Sequence, residues 1–116
     1  MEQYRVVFHV DEGNEARVGM ALKNIENLMA DLGEDNVQVE LVTNGRGVSA
    51  LVKTPNPHQA QIEALAAKGV RFTACANSLR QADITADALL GTVEVVPSGV
   101  GELVKKQVQG WAYIRP

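Results

Sequence analysis

Residues 69–80, GVRFTACANSLR, are the stretch of sequence that decides the fold. The apolar part, residues 70–74, contains β-branched and aromatic side chains and is typical of a buried strand. It ends on Cys75, the single cysteine of the chain, and a polar turn follows directly. In parallel α/β sheets, ligand sites collect beyond the carboxyl ends of strands, where helix N-termini carry partial positive charge. The pattern therefore predicts a strand that delivers a thiol to the start of a helix.

Strands and helices alternate on both sides of this stretch. The predicted strands are residues 4–10, 36–43, 70–74, 93–96 and 111–114. Apolar residues at helical spacing predict amphipathic helices capped by Asn14 and Ser98, a helix that begins at Pro57, and short helical segments at 48–53 and 85–90. This order predicts right-handed crossovers and one domain, residues 1–116, with a mostly parallel five-stranded sheet and helices on both faces.

Two local patterns predict how the sheet is covered. In the second strand apolar and polar residues alternate, so this strand should have a wetter face or lie near an edge. The last helix has an apolar stripe that we expect to face the core: Val100, Leu103, Val104 and Val108.

The composition argues against several classes of protein. Apolar residues make up 46% and charged residues 22%, which is ordinary for a globular chain. The net charge is -3, and no basic cluster exceeds the pair Lys105-Lys106, which argues against nucleic acid or an anionic membrane as a partner. No apolar run approaches a membrane span, and residues 1–5 lack the order of a signal peptide, so we expect a cytoplasmic protein. A single cysteine also fits a reducing compartment.

Polar turns follow the first four predicted strands. If the strands are parallel, these turns meet along one edge of the sheet together with the thiol. Glycines in the turns would let backbone N–H groups approach a bound anion closely. The turns are Asp11-Glu12, Asn44-Gly45, Cys75-Ala76-Asn77 and Pro97-Ser98-Gly99.

Cys75 is the candidate reactive group, and we expect it to be accessible at this edge. A helix N-terminus or a nearby cation lowers a thiol pKa from about 8.5 to roughly 3.5–7.5, and Arg80 is positioned to supply the cation. A thiol of this kind suits sulfur transfer, in which it takes sulfane sulfur as a persulfide and passes it to another thiol. The alternative is a buried and inert cysteine, since free cysteines are among the most buried residues.

Other candidate motifs give weaker signals. His9 lies near the end of the first strand and is a possible partner of Cys75, although a histidine packed in the sheet is the commoner case. His58 is expected to be exposed. No metal-ligand spacing is present, and no metal or other cofactor is predicted. Residues 45–50, GRGVSA, formally match a dinucleotide fingerprint, but Cys75 stands where the required acidic residue should end the next strand, which favours a plain turn.

Several segments together resemble the DsrE/DsrF-like family, especially its small stand-alone members. They are FHV at 8–10, the Asn44-Gly45 turn, ACANSLR at 74–80, VVPSGVGEL at 95–103 and QGWAYIRP at 109–116. The resemblance covers nearly the whole chain. It implies a three-layer α/β/α fold, an association with sulfur relay, a persulfide on the cysteine at the position of Cys75, and assembly as homotrimers or homohexamers.

The first hypothesis is therefore a cytoplasmic sulfur carrier that exchanges sulfur with thiol-bearing donor and acceptor proteins. In it Cys75 holds the sulfur, the backbone N–H groups of Asn77 and Ser78 stabilise the thiolate, and Arg80 adds charge. The second hypothesis is a non-catalytic module that binds a small anion or a nucleotide at the glycine turns. Its candidate binding residues are Asn44, Gly45, Ser98 and Gly99. The third is an oligomeric scaffold without a site.

Overall fold

The computed structural model describes residues 3–53 and 55–116. Its five strands are β1 Tyr4–Val10, β2 Val37–Thr43, β3 Arg71–Cys75, β4 Val93–Val96 and β5 Ala112–Ile114. They form one parallel sheet in the order β4-β3-β2-β1-β5. The predicted strands and the parallel α/β fold are confirmed, with bounds that agree to within one residue. Met1, Glu2 and Thr54 lie outside the described residues, and so does the part of the signal-peptide prediction that concerns Met1 and Glu2.

Four α-helices in the described part of the chain form two layers around the sheet. They are α1 Glu15–Leu32, α2 Gln59–Ala67, α3 Ala76–Gln81 and α4 Gly99–Val108. The connections from β1 through β4 all step in one direction, whereas the connection from β4 to β5 runs back past β1. Because parallel crossovers are right-handed, α1, α2 and α3 cover one face, called the first face, and α4 covers the opposite, second face.

The first face holds the main apolar core. Side chains of the sheet pack there against α1, α2 and α3, and its largest buried members are fully enclosed. They include Phe8, Leu22, Ile25, Ile62 and Phe72. Burial of each such side chain contributes about 1.5–3 kcal/mol, so this face supplies most of the apolar driving force.

The long helix α1 has the ends that its sequence predicts. The side chain of Asn14 accepts a hydrogen bond from the backbone N–H of Arg17, at 3.1 Å. At the other end Gly33 has φ 94° and donates its N–H to the carbonyl of Met29. The capping oxygen and the left-handed glycine satisfy backbone groups that a helix end leaves unpaired.

The prediction for the second strand is wrong. β2 is the central strand, between β3 and β1, and Gln38 is the one exposed residue in it. Glu40 is fully buried. The alternation of apolar and polar residues misled because side chains from β3 and α4 neutralise and hydrogen-bond Glu40, so its polarity does not mean exposure.

The prediction for the last helix is wrong at three of four positions. Leu103 is buried, but Val100, Val104 and Val108 are 59%, 55% and 82% exposed. α4 instead turns Glu102 and Lys106 toward the sheet, where they meet Glu40. The ionic contacts set the rotation of α4 and leave its valine stripe facing outward.

Four local predictions also need correction. α2 begins at Gln59 because Asn56 accepts from the N–H of His58 in a turn. Residues 85–90 contain only the 3₁₀ segment Ala86–Ala88. Leu89 and Leu90 extend into the core, and the backbone of residues 88–90 bonds to that of residues 51–53. The segment 48–53 belongs to a 3₁₀ helix, Gly45–Leu51. His58 is half-buried, and its Nε2 has no hydrogen-bond partner among the described residues.

None of the helices in the described part of the chain combines the length and apolarity that crossing a membrane requires.

Candidate functional site

Cys75 lies at the point where the chain changes faces of the sheet. β3 continues into α3 on the first face, and the neighbouring strand β4 continues into α4 on the second face. Both helices therefore begin beside the end of β3. This divergence is where ligands bind in open α/β sheets.

Gly99, the first residue of α4, permits this close arrangement. A Cβ atom built on it would lie 2.9 Å from Cβ of Asn44 and 3.2 Å from Cβ of Cys75. Both distances are too short for an ordinary side chain without movement of the neighbours. Because glycine has no Cβ, its backbone N–H reaches the thiol.

The thiol of Cys75 is buried but surrounded by hydrogen-bond donors. The residue is 5% exposed, so the expectation of an open thiol is wrong. Burial raises the pKa of the thiol, but hydrogen bonds from the Ser78 hydroxyl and from the backbone N–H groups of Gly99, Ser78 and Asn77 lower it, and the net shift is downward. These donors favour the thiolate, the reactive form of cysteine.

Ser78 connects the thiol to the turn after β2. Its Oγ accepts a hydrogen bond from the backbone N–H of Gly45 at 2.7 Å, which leaves its own hydrogen free to be donated to the sulfur. Ser78 is 8% exposed. The hydroxyl of Ser78 thus joins the turn Asn44-Gly45 to the segment Cys75–Ser78, two parts of the chain that the sequence predicts to lie at the same edge.

Arg80 does not act on the thiol in the expected way. It is exposed, and its guanidinium donates to Oδ1 of Asn77. The groups that shift the pKa of Cys75 are neutral donors, and Arg80 is not among them. The cation expected at the thiol is therefore replaced by backbone N–H groups.

His9 is hydrogen-bonded away from Cys75. Its Nε2 lies 2.8 Å from Oδ1 of Asn44 and its Nδ1 lies 2.6 Å from Oη of Tyr113. β2 separates β1, which carries His9, from β3. An amide oxygen only accepts, so Nε2 carries the proton and the Tyr113 hydroxyl donates to Nδ1. Asn44, the partner of His9, and Cys75 both lie against Gly99.

Ser98 caps α4. Its Oγ accepts from the N–H of Gly101 at 3.0 Å, which is the predicted cap. The side chain is therefore engaged by the helix, and Gly99 is the member of this turn that contacts the thiol. Within the described residues no group of three or more His, Cys, Asp or Glu side chains is placed to hold a metal ion.

A cleft of about 720 Å³ opens next to Ser78 on the α1 and α3 side of this edge. Cys75 is not part of its wall, so Ser78 is the residue that the cleft and the thiol share. Sequence reasoning missed most of this lining, although the glycine turn after β2 was a signal for it. The lining is Glu12, Gly13, Asn14, Gly45, Arg46, Val48, Ser49, Ser78, Gln81, Ala82 and Ile84.

The dinucleotide fingerprint at residues 45–50 has a structural explanation. A Cβ on Gly47 would lie 2.1 Å from the carbonyl oxygen of Val10, so this glycine is needed for the turn to pack on β1. The segment is a 3₁₀ helix, and it lacks the α-helix that receives a pyrophosphate in the nucleotide fold. Both observations favour the plain turn.

A charged cluster on the second face was not foreseen. Thr73 donates to Oε2 of Glu40 at 3.0 Å and Arg71 donates to Oε1 at 3.1 Å, while Nζ of Lys106 lies 3.6 Å from Oε1. Burial, followed by the neighbouring carboxyl of Glu102, raises the pKa of Glu40 from 4.5 to about 7. Glu94 also pairs with Arg71. The cluster therefore contains three carboxyl groups, on Glu40, Glu94 and Glu102, and two cations, on Arg71 and Lys106, so one bound proton brings its net charge to zero.

These features define a three-layer α/β/α protein with a parallel five-stranded sheet and one thiol at its switch point. The chain belongs to the DsrE/DsrF-like family, whose model matches residues 5–116. The resemblance seen in the sequence is thereby confirmed.

Two solved structures resemble this chain over their whole length. A protein of unknown function, MTH1491, from Methanobacterium thermoautotrophicum is 46% identical, with a TM-score of 0.93, 98% of this chain covered and 100% of that one. The YchN protein from E. coli is 17% identical, with a TM-score of 0.79 and 100% of both chains covered, and shows the shared fold. No curated protein matches this chain.

Proposed function

We propose that this protein is a cytoplasmic sulfur carrier that takes sulfane sulfur as a persulfide on Cys75. Membership of a family associated with sulfur relay supports the general role. The observation that carries the proposal is the position of the Cys75 thiol between the starts of α3 and α4, against Gly99, where hydrogen-bond donors lower its pKa in spite of its burial. An inert core cysteine has a raised pKa, whereas the net shift of the Cys75 pKa is downward in spite of its burial.

The donors suit both states of the carrier. The thiolate attacks a sulfane sulfur, and the resulting persulfide anion keeps its negative charge within reach of the same N–H groups. An acceptor thiol then attacks the outer sulfur and regenerates the Cys75 thiolate by exchange. Ser78 belongs to α3 and Gly99 to α4, and both donate to the sulfur without carrying a charge.

Intact-mass measurement after incubation with inorganic polysulfide tests this proposal. The wild-type protein should gain the mass of one sulfur atom, lose it again on addition of a thiol, and show no gain in Cys75→Ser. Circular dichroism of the variant checks that it is folded. No adduct on the wild type, or an equal adduct on Cys75→Ser, would contradict the proposal.

The cleft favours one competing function, a non-catalytic module for a small anion or nucleotide. Its polar lining and the Gly45 turn are the specific observations for it. Thermal-shift screening with nucleotides and small anions separates the two functions. A ligand that stabilises wild type and Cys75→Ser equally, together with no sulfur loading, favours the binding module.

Self-assembly as a homotrimer or homohexamer is the second part of the proposal. The outward stripe of Val100, Val104 and Val108 is an apolar surface on α4, and such surfaces are commonly covered by a partner. The family resemblance implies homo-oligomers, so the partner that covers this surface is a second copy of the chain.

Analytical ultracentrifugation of Val104→Asp tests this assembly. Wild type should sediment as a trimer or hexamer and Val104→Asp as a monomer. Met20→Asp is the matched control, because Met20 is also about half exposed, at 53%, but lies on α1. A monomeric wild type, or equal dissociation of both variants, would remove the α4 surface as the interface.

A further inference from the structure

We propose that the cleft beside Ser78 binds the sulfur donor, and that this donor is a small persulfide with both an ammonium and a carboxylate group, of the cysteine persulfide type. This inference rests on the proposed carrier function and names its substrate class. A small-molecule donor takes the place of the protein donor expected from the sequence.

The burial of the thiol limits what can reach it. Cys75 is 5% exposed, and Ser78, which bonds to its sulfur, is 8% exposed. The flat surface of a folded protein cannot approach a sulfur at this depth. A persulfide on a short, narrow side chain can enter the cleft and reach the thiol past the Ser78 hydroxyl.

The size of the cleft fits a small molecule. Its volume of about 720 Å³ lies within the usual range for small-molecule sites, roughly 300–1,000 Å³. Val48, Ala82 and Ile84 give it an apolar wall suited to methylene groups. Polar side chains complete the rest of the lining.

The rim of the cleft carries charges of both signs. Arg46 is exposed and forms no ion pair within the described residues, while Glu12 contacts only the exposed Arg17, at 3.8 Å. The two loops that carry them are packed together, since a Cβ on Gly13 would lie 2.2 Å from Oγ of Ser49 and 3.0 Å from the carbonyl oxygen of Arg46. Arg46 is thus available to a carboxylate and Glu12 to an ammonium group.

The transfer step is balanced without an added oxidant or reductant. The Cys75 thiolate attacks the outer sulfur of R–S–SH, and a bond forms between Sγ and that sulfur. The S–S bond of the donor breaks, and its electron pair leaves with R–S⁻, which takes a proton from water. The products are Cys75–S–SH and R–SH, and the sulfane sulfur keeps its oxidation state.

Rates of sulfur loading with three donors test the inference. Cysteine persulfide carries both charges, 2-hydroxyethyl persulfide carries neither, and inorganic polysulfide needs no cleft. Wild type should load faster from cysteine persulfide than from 2-hydroxyethyl persulfide at equal concentration. Arg46→Gln should slow loading from cysteine persulfide about tenfold, the loss expected for one charge-assisted hydrogen bond, and leave loading from polysulfide unchanged.

Lys23→Gln is the matched control, because it removes the same charge from an exposed site on α1 outside the cleft. It should load like wild type from all three donors. If wild type loads from polysulfide but shows no preference between the two organic donors, or if Arg46→Gln and Lys23→Gln behave alike, the inference is overturned and the carrier function stands. If wild type does not load from polysulfide at all, the carrier function itself fails.

Loading from a protein persulfide that exceeds loading from cysteine persulfide would also overturn the inference. Glu12→Gln provides an independent arm, since it removes the proposed partner of the ammonium group. It should slow loading from cysteine persulfide and leave 3-mercaptopropionate persulfide, which has no ammonium group, unaffected.

Discussion

The two faces of the sheet are held by different interactions, mainly apolar packing on the first face and ionic contacts beside a small apolar cluster on the second. The first face packs apolar side chains of every strand against α1, α2 and α3. The second face buries a much smaller apolar cluster, Val7, Val42 and Leu103 with Trp111 against it, and beside this cluster lie Glu40 and its ionic partners. The first face therefore supplies the stability of the fold, while the second face holds α4 in a chosen orientation through charges.

The functional edge lies where these two faces meet. Cys75 receives hydrogen bonds from the start of α3, which belongs to the first face, and from Gly99 at the start of α4, which belongs to the second. The apolar core holds α3, which carries three of the four donors, and the ionic cluster holds α4, which carries the fourth. Substitutions on the first face and on the second face should therefore differ in how much they lower the free energy of unfolding and in how much they change the reactivity of the Cys75 thiol.

Phe72→Ala should give the largest loss of stability. Phe72 is fully buried on the first face, and removal of such a side chain costs about 3–5 kcal/mol through lost burial and the cavity left behind. Urea denaturation measures the change. Leu103→Ala on the second face is the comparison and should cost about 2 kcal/mol, because its apolar surroundings are thinner. A larger loss for Leu103→Ala would contradict the contrast between the faces.

Glu40→Gln should flatten the pH dependence of stability. The folded pKa of Glu40 is about 7 against 4.5 unfolded, so the folded state binds more protons between these values and wild type loses stability as pH rises from about 4.5 to 7. The loss is about 3 kcal/mol from the size of the shift, and glutamine removes it because it cannot ionise. Urea midpoints from pH 5 to pH 8 measure the profile.

Glu94→Gln is the control for this profile. Hydrogen bonding from Arg71 lowers the pKa of Glu94, so this carboxylate stabilises the fold above its ordinary pKa of 4.5 and loses that contribution as pH falls. Between pH 5 and pH 8 this contribution is constant, so Glu94→Gln should lower the urea midpoints evenly and keep the wild-type slope. Equal profiles for wild type and Glu40→Gln would show that Glu40 does not bind a proton in this range.

Ser78→Ala should reduce the reactivity of the thiol and have little effect on the fold. The change removes a donor to the sulfur and so raises the pKa of Cys75. Alkylation by iodoacetamide at pH 7 should slow about fivefold, the equivalent of a hydrogen bond of about 1 kcal/mol. Ser49→Ala, whose hydroxyl bonds to the carbonyl of Arg46, should react like wild type. Equal rates for both variants would remove Ser78 from the thiol environment.

Val108→Ser should have the smallest effect. This side chain is 82% exposed at the end of α4, and such substitutions usually change stability by less than about 0.5 kcal/mol. Urea denaturation at low protein concentration, where assembly is weakest, measures it. A loss comparable with that of Leu103→Ala would mean that the outer side of α4 packs against something in the folded chain.

The sequence was most informative where one local rule was decisive. Alternating strands and helices predicted the parallel sheet, and Asn14, Gly33 and Ser98 predicted helix ends that the structure contains. The edge position of Cys75 followed from the strand that precedes it. These features depend on residues near one another in the chain, so neighbouring positions carry enough information to predict them.

Other features depended on contacts between distant residues. Glu40 looked like a wet position in the sequence and is buried, because Arg71 and Lys106 come from β3 and α4. The valines of α4 looked like core residues and face outward for the same reason. No local pattern contains the ionic partner that decides either outcome.

The sequence by itself determined that one strand ends on the single thiol at the start of a helix, since strand and helix signals act over a few neighbouring residues. Only the tertiary structure decided that this thiol lies beneath the surface, between two helix starts and behind Ser78. Strand order brought Gly99, Gly45 and Cys75 together from separate parts of the chain, and strand order depends on which elements pack best in three dimensions.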